Sequence, residues 1–243
     1  MPLASPPPGA SALDGATVVF DLDGTLVDTA PGLAGALNAL LAPEGLDRLS
    51  VAQVRPMIGR GPRAMIERAF AADGAALPPP RLDDLTARFV IGYRARMPRE
   101  STIFSGAADA LDVLIGAGAR LCVCTNKPTD LAVELMRALG LAYRFAAIVG
   151  PDAAGAAKPD PAHLVAAIAR AGGALGRSVM VGDGVIDVEV ARAAAIPVVL
   201  ADFGYSETPA GELAPDAVIS HFEELSGVCG RVLNACEAKR QRL

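Results

Sequence analysis

A β-branched and apolar run at residues 17–20 predicts a short buried strand, and it leads directly into Asp21-Leu22-Asp23-Gly24-Thr25. Pro31 stands at a plausible first helical turn, and apolar positions at helical spacing continue to about Leu41. From Leu49 to Arg96 the spacing stays helical with no strand. Gly59-Arg60-Gly61-Pro62 and Leu77-Pro78-Pro79-Pro80 break that stretch into separate helices. Beyond Ser101 the pattern changes. Helices are expected at 107–117, 130–139, 161–171 and 187–194, each followed by a strand, at 120–124, 146–149, 178–181 and 197–200. A last strand at 217–220 and a helix from about 223 to 235 complete the chain. This alternation predicts an α/β fold, a doubly wound, Rossmann-like parallel sheet with helices on both faces. The all-helical block after the first strand then reads as an inserted cap. The expected division is a tail at 1–12, a core at 13–29 and 100–243, and a helical cap at 30–99.

Composition narrows the function. With 22 Lys+Arg against 27 Asp+Glu the net charge is −5, which argues against a nucleic-acid binder with a basic face. Aromatic residues are 4% and Trp is absent, so a base-stacking platform is not expected. No apolar run of about 18 residues is present, so no transmembrane helix and no membrane partner are predicted. The first ten residues are rich in Pro, Ala and Gly without the layout of a secretory signal, and read as a disordered tail. Cys122, Cys124, Cys229 and Cys236 are accordingly expected as reduced thiols in a cytoplasmic protein.

Ligands of open α/β sheets bind beyond the carboxyl ends of the strands, which directs attention to Asp21, Thr125, Lys158 and Asp183. Asp21 and Asp23, two apart on an extended segment, point to one side. They read as an acid/base pair, a metal site or both, against an ordinary Asp-Gly turn. Thr125 stands where a hydroxyl binds a phosphate oxygen or caps a helix. Lys158 precedes a helix opening, a poor place for a cation unless it faces an anion. Asp183 and Asp187, four apart at a helix start, can face one site. Taken together, the oxygen ligands suit Mg²⁺ better than Zn²⁺. An Asp nucleophile with a second acid suits covalent phosphoryl transfer. His163 and His221 lack metal-site spacing and read as structural or surface residues. The four cysteines read as structural thiols, and the five arginines between Arg81 and Arg99 as a solvated helix face.

Four ordered segments carry a family resemblance. Residues 20–29, Phe-Asp-Leu-Asp-Gly-Thr-Leu-Val-Asp-Thr, are similar to the first motif of the haloacid dehalogenase superfamily. Residues 124–128 resemble its second motif, residues 158–161 the third, and residues 182–187 the fourth. The resemblance implies that Asp21 is a nucleophile forming an aspartyl-phosphate and that Asp23 protonates the leaving oxygen and later activates water. It implies that Thr125 holds a phosphoryl oxygen, with Gly24, Thr25 and Asn126 around the phosphate, and that Lys158 stabilises the charge. Asp21, Asp23 through its carbonyl, and Asp183 are implied metal ligands, with Asp187 holding the ion's water shell or Lys158. Within the superfamily, Val54-Arg55, Ile58-Gly59-Arg60-Gly61, the second motif and Phe203-Gly204-Tyr205 resemble phosphoglycolate phosphatases. Gly184, Ile186, Ala195 and Ser105 depart from that pattern, which usually has Ser, Asn, Gly and Pro there.

The expected function is a Mg²⁺-dependent phosphatase of a small phosphorylated metabolite, 2-phosphoglycolate first, acting as a monomer or homodimer. The alternatives are another phosphatase of the superfamily, acting on another sugar phosphate, a nucleotide or pyrophosphate, a sugar-phosphate mutase, and a non-catalytic binding protein. A dehalogenase has no use for the acid at position 23. Arg55, Arg60 and Arg63 surround the break at residues 59–62, and a guanidinium there suits a substrate carboxylate. At least one of the three is expected to contact the non-phosphoryl end.

Overall fold

The computed structural model describes residues 12–72, 74 and 76–241; residues 1–11 of the expected tail lie outside the described residues. Strand β1 (Thr17–Phe20) is fully buried, and β4 (Arg120–Cys124), β6 (Ser178–Gly182) and β7 (Val198–Ala201) are buried almost throughout. With β5 (Ala147–Val149) and β8 (Ala217–Ile219) they form one parallel sheet in the order β5-β4-β1-β6-β7-β8. Alternate residues feed two cores, as a strand's period of two requires. Val18, Phe20, Leu121, Val123, Val179 and Val181 face one side, while Val19, Cys122, Cys124 and Met180 face the other.

Helices α5 (Ala107–Gly116) and α10 (Leu225–Arg240) cover the first face, and α8 (Pro161–Arg170) and α9 (Val185–Ala193) the second. Helix α6 (Thr129–Ala138) packs its Leu131, Leu135 and Met136 into the first core, and the short α7 (Pro151–Ala154) packs beside α8. All four cysteines are free thiols, three of them buried. Buried His163 sets its Nε2 3.1 Å from the Val149 carbonyl, a structural place, whereas His221 is exposed. Among the described residues no helix is long and apolar enough to cross a membrane.

Between β1 and β4 the chain leaves the sheet through β2 (Val27–Asp28) and returns through β3 (Thr102–Ile103), and these pair antiparallel. Helices α1 (Ala30–Leu41), α2 (Val51–Val54), α3 (Gly61–Ala71) and α4 (Pro79–Arg96) lie between them as a cap over the carboxyl end of the sheet. Helix α4 packs against α1 and α3. Its buried residues Leu82, Leu85, Phe89 and Tyr93 recur every three or four positions and so form one stripe. Each such side chain withdrawn from water contributes about 1.5–3 kcal/mol.

Most predicted elements lie within two residues of their expected bounds. The β2–β3 pair was not expected, because two-residue strands carry no period. Helix α9 begins at Val185 rather than Asp187. The Asp187 carboxylate accepts the Gly184 N–H (3.2 Å), so it closes the first turn from inside the helix. The end of α9 is also informative. Ala195 N–H donates to Arg192 O (3.1 Å) and Ile196 N–H to Ala191 O (3.0 Å), the paired bonds of a left-handed helix stop. Ala195 therefore has φ +54, a conformation that costs a non-glycine residue about 1 kcal/mol.

Candidate active site

Three strand ends and one loop converge beneath the cap. Asp21 follows β1, Thr125 follows β4 and Asp183 follows β6, while Lys158 stands on the loop before α8. Asp21, Thr125, Lys158, Asp183 and Asp187 are all buried. One carboxylate oxygen from each of Asp21, Asp183 and Asp187 falls within 4.8 Å of the others. The Lys158 ammonium is 2.7 Å from Asp187 Oδ1 and 2.9 Å from Asp21 Oδ1. Apart from this ion pair, Asp21 Oδ1 has no polar partner among the described residues. Asp187 Oδ2 accepts the N–H groups of Asp183 (3.1 Å) and Gly184 (3.2 Å).

Asp183 is clamped from two sides. Thr25 Oγ1 donates to Oδ1 (2.9 Å) and Tyr205 N–H to Oδ2 (2.7 Å). The space for it is made by missing side chains. A Cβ on Gly24, where φ is +86, would meet Asp183 Oδ2 at 2.5 Å, and one on Gly204 would meet Asp183 Cβ at 2.2 Å. No atom larger than hydrogen fits at either place.

Burial dominates the electrostatics. It raises the Asp21 carboxyl to about 6, with Lys158 opposing and Asp187 and Asp23 reinforcing the shift. It likewise raises Asp183 to about 8, helped by Asp187 and Asp21. Burial alone would lower Lys158, but Asp187 and Asp21 outweigh it and hold the ammonium above its ordinary value. Such crowding of carboxylates in a dry place is relieved by a cation.

Asp23 stands apart from this cluster. Its carboxylate takes both oxygens to the Lys127 ammonium (2.8 and 2.9 Å) and accepts Thr29 Oγ1 (2.7 Å). The Lys127 Nζ also lies 4.6 Å from the centre of the Tyr93 ring on α4. Neither Lys127 nor Tyr93 was assigned a role from sequence. A signal for Lys127 existed: it stands two residues beyond Thr125, the spacing that joins Asp21 to Asp23. Tyr205 was noted only within a family resemblance. Its hydroxyl accepts the N–H groups of Thr29 (2.7 Å) and Ala30 (3.1 Å) and donates to Asp28 Oδ1 (2.6 Å), capping α1 where the cap begins.

Other expected site residues have different partners from those foreseen. The Thr25 hydroxyl is committed to Asp183, not to a phosphate. Asn126 is a staple: its Nδ2 donates to Gly59 O and Lys158 O (both 2.9 Å), and its Oδ1 accepts Lys158 N–H (2.8 Å). Both ends of that side-chain amide are used, so a phosphate contact from Asn126 would have to come from its backbone N–H. Arg55 pairs with Asp28 (3.1 Å) over the Tyr205 ring. Arg63 pairs with Asp83 on the cap surface and lines neither cavity. Of the three, only Arg60 lines the cleft, joined there by Arg68. The departures from the family pattern are harmless to the carboxylates. Ile186 lies under the cap with its Cδ1 beside Gly59, and Gly184 caps α9.

Two cavities meet at Asp21 and Asp23. A polar one runs past Lys158, Asp183, Asp187, Arg60 and Tyr205. A largely apolar one runs beneath the cap past Leu33, Ile58, Met65, Phe89, Tyr93 and Lys127. Thr125 and Asn126 also line the latter.

Buried Asp21, Asp183 and Asp187 around Lys158, with Asp23 on Lys127, gather at the strand ends of a capped doubly wound sheet, an arrangement that fits a hydrolase of the haloacid dehalogenase class. A family model described as "haloacid dehalogenase-like hydrolase" matches residues 16–195, and the chain belongs to that family. It is a phosphoric monoester hydrolase, similar to proteins named phosphoglycolate phosphatase. One of them, from Caulobacter vibrioides, is 49% identical over 226 residues, covering 93% of this chain and 95% of its own. Another, from Agrobacterium fabrum, is 46% identical, covering 86% of this chain and 89% of its own. Among solved structures, a predicted phosphoglycolate phosphatase from Haemophilus somnus 129pt superposes with a TM-score of 0.80 at 26% identity, covering 89% of this chain and 98% of its own.

Proposed function

We propose that the protein hydrolyses 2-phosphoglycolate through an aspartyl-phosphate on Asp21, with Mg²⁺ as its ion. The observation that carries this reading is the separation of two carboxylates into two environments. Asp21 stands among Lys158, Asp183 and Asp187, with Lys158 its one cation among the described residues, whereas Asp23 faces the cavities from its own lysine and threonine. Different surroundings give neighbouring carboxylates different tasks.

The donor set fits a hard cation. It offers only carboxylate oxygens, gathered within 4.8 Å of one another and buried. Asp21 and Asp183 would hold the ion, with Asp187 beside them. When bound, the ion offsets the negative charge of the phosphoryl group. The chain's own residues carry the steps. An Asp21 oxygen attacks phosphorus and the bond from phosphorus to the alcohol oxygen breaks, while Asp23, protonated in the substrate complex, gives its proton to that departing oxygen. Asp23, now ionised, takes a proton from the water that attacks the aspartyl-phosphate. Inorganic phosphate leaves and Asp21 is restored. Lys158 balances charge on the nucleophile and the phosphoryl oxygens. Thr125 Oγ1 accepts Lys127 N–H (3.2 Å), which leaves its own hydrogen to donate to a phosphoryl oxygen. The cap excludes water during these steps.

Asp21→Asn tests the reading. Phosphate release from 2-phosphoglycolate should fall by at least roughly 10³-fold with the far-ultraviolet circular dichroism unchanged. Intact-protein mass spectrometry should detect a phosphorylated species only in the wild type. Substantial turnover by a pure Asp21→Asn sample would overturn the mechanism.

A further inference from the structure

We infer that Lys127 is the specificity-determining residue of this enzyme: it holds the carboxylate at the non-phosphoryl end of the substrate, exchanging one of its two contacts with Asp23 to do so. The inference rests on the reading of Asp21 as nucleophile and Asp23 as the acid for the leaving oxygen.

Four observations carry it. First, the position is right. In a phosphorylated 2-hydroxy acid the carboxylate is two bonds from the oxygen that leaves. A group that serves this carboxylate must stand within one hydrogen bond of the group that serves the oxygen. Lys127 Nζ lies 2.8 and 2.9 Å from the Asp23 oxygens. Second, the surroundings demand a cation. The cavity beneath the cap is walled by Leu33, Ile58, Met65, Phe89, Tyr93 and Leu131, and Lys127 is the one basic side chain lining it among the described residues. A carboxylate entering such a place without a positive partner would lose its hydration for nothing. Third, the ammonium is held so that it can change partners. The face of Tyr93 supports it at 4.6 Å, and Asp23 keeps the Thr29 hydroxyl at 2.7 Å when Lys127 turns. Three N–H donors also let one lysine serve two carboxylates at once. Fourth, the other nearby cations stand elsewhere: Arg55 pairs with Asp28 and Arg63 with Asp83, and Arg60 and Arg68 line the polar cavity, not the one beneath the cap.

Because Tyr93 belongs to the cap and Lys127 to the core, the carboxylate is read at the seam between them. A phosphate ester without a carboxylate finds the same nucleophile and acid but leaves Lys127 on Asp23.

The test compares 2-phosphoglycolate with ethyl phosphate, which has the same leaving oxygen and no carboxylate. The quantity read is the ratio of kcat/KM for the two substrates, in the wild type, Lys127→Met and Lys127→Gln. Only the effect on Asp23 that is common to both substrates cancels in the ratio, so binding of glycolate, which needs no proton from Asp23, reads the carboxylate contact separately. We expect the ratio to fall at least about tenfold in both variants, the loss of one charged hydrogen bond. It should fall mainly through KM for 2-phosphoglycolate, and competitive inhibition by glycolate should weaken in parallel. A wild-type measurement guards against variants that fail to fold: 2-phosphoglycolamide, neutral at the same position, should lose a similar factor. An unchanged ratio in a folded Lys127 variant would overturn the assignment, as would a ratio that collapses in Arg60→Ala instead. A wild type that prefers neither substrate would instead sink the 2-phosphoglycolate reading itself, so the two failures are distinguishable.

Discussion

Lys127 and Lys158 in the core and six arginines of the cap pair with carboxylates, yet they do so in opposite surroundings. Lys127 and Lys158 are 4% and 1% exposed at the side chain. The six paired cap arginines, Arg55, Arg63, Arg81, Arg88, Arg94 and Arg96, are 39–53% exposed. An exposed pair contributes about 0–1 kcal/mol, because water and salt compete for both partners. A buried cation is different. It is tied to carboxylates that cannot regain water, so its removal leaves charge stranded. Charge in the cap therefore tunes a surface, while charge in the core decides which protonation states exist at all.

The sharpest way to break this contrast is Lys158→Ala. The substitution leaves Asp21 and Asp187 buried without their shared cation, and stability should fall by about 3 kcal/mol in urea titrations without added metal. A loss no greater than that of a cap arginine would erase the distinction.

A second test uses pH. In the cation-free protein Asp21 and Asp183 are raised to about 6 and about 8, above the ordinary 3.8 they regain on unfolding. The unfolded chain therefore binds fewer protons between these values, and stability is lost as pH rises through them. A bound Mg²⁺ counters that loss. At a hundredfold excess over its Kd it stabilises by about 2.7 kcal/mol, and since Kd itself tightens as the carboxylates ionise, a fixed MgCl₂ concentration should raise Tm more near pH 8 than near pH 5. Equal shifts at both pH values would remove the carboxylate cluster as the ion's site.

The smallest effect belongs to the cap. Arg63→Ala breaks only the pair with Asp83, so stability should change by no more than about 0.5 kcal/mol in the same titrations. KM for 2-phosphoglycolate should stay as it was. A raised KM would return Arg63 to the cleft and blur the boundary between the two regions.

The same contrast explains what could be read from sequence. The strands β1, β4 and β6 were legible because burial on both faces leaves apolar runs, and the acids appear where those runs stop. Asp21 and Asp183 followed from that geometry, whereas Lys158 was marked by its place before a helix opening and its role by the family resemblance. The arginine trio was harder. Sequence places Arg55, Arg60 and Arg63 beside a turn but not their partners, and Asp28 and Asp83 are 27 and 20 residues away from the arginines they bind. The side-chain partners of Asn126 and Thr25, Gly59 and Lys158 for one and Asp183 for the other, could not be foreseen, since a staple and a phosphate ligand look alike in one dimension. Tyr93 had no signal beyond its place in an apolar stripe; only the packing of α4 over the sheet brings its ring to Lys127.

Asp183 fits between Gly24 and Gly204, and the consequence concerns how tolerance to change is distributed. Neither glycine supplies an atom to the reaction, and neither has a side chain to lose. Yet a single methyl at either position would collide with a carboxylate that cannot retreat, being held by Thr25 and the Tyr205 N–H. A saturation scan scored on activity would rank these two empty positions beside the acids themselves. Intolerance in such a map traces the shape of the space around a reactive group as faithfully as it traces the group.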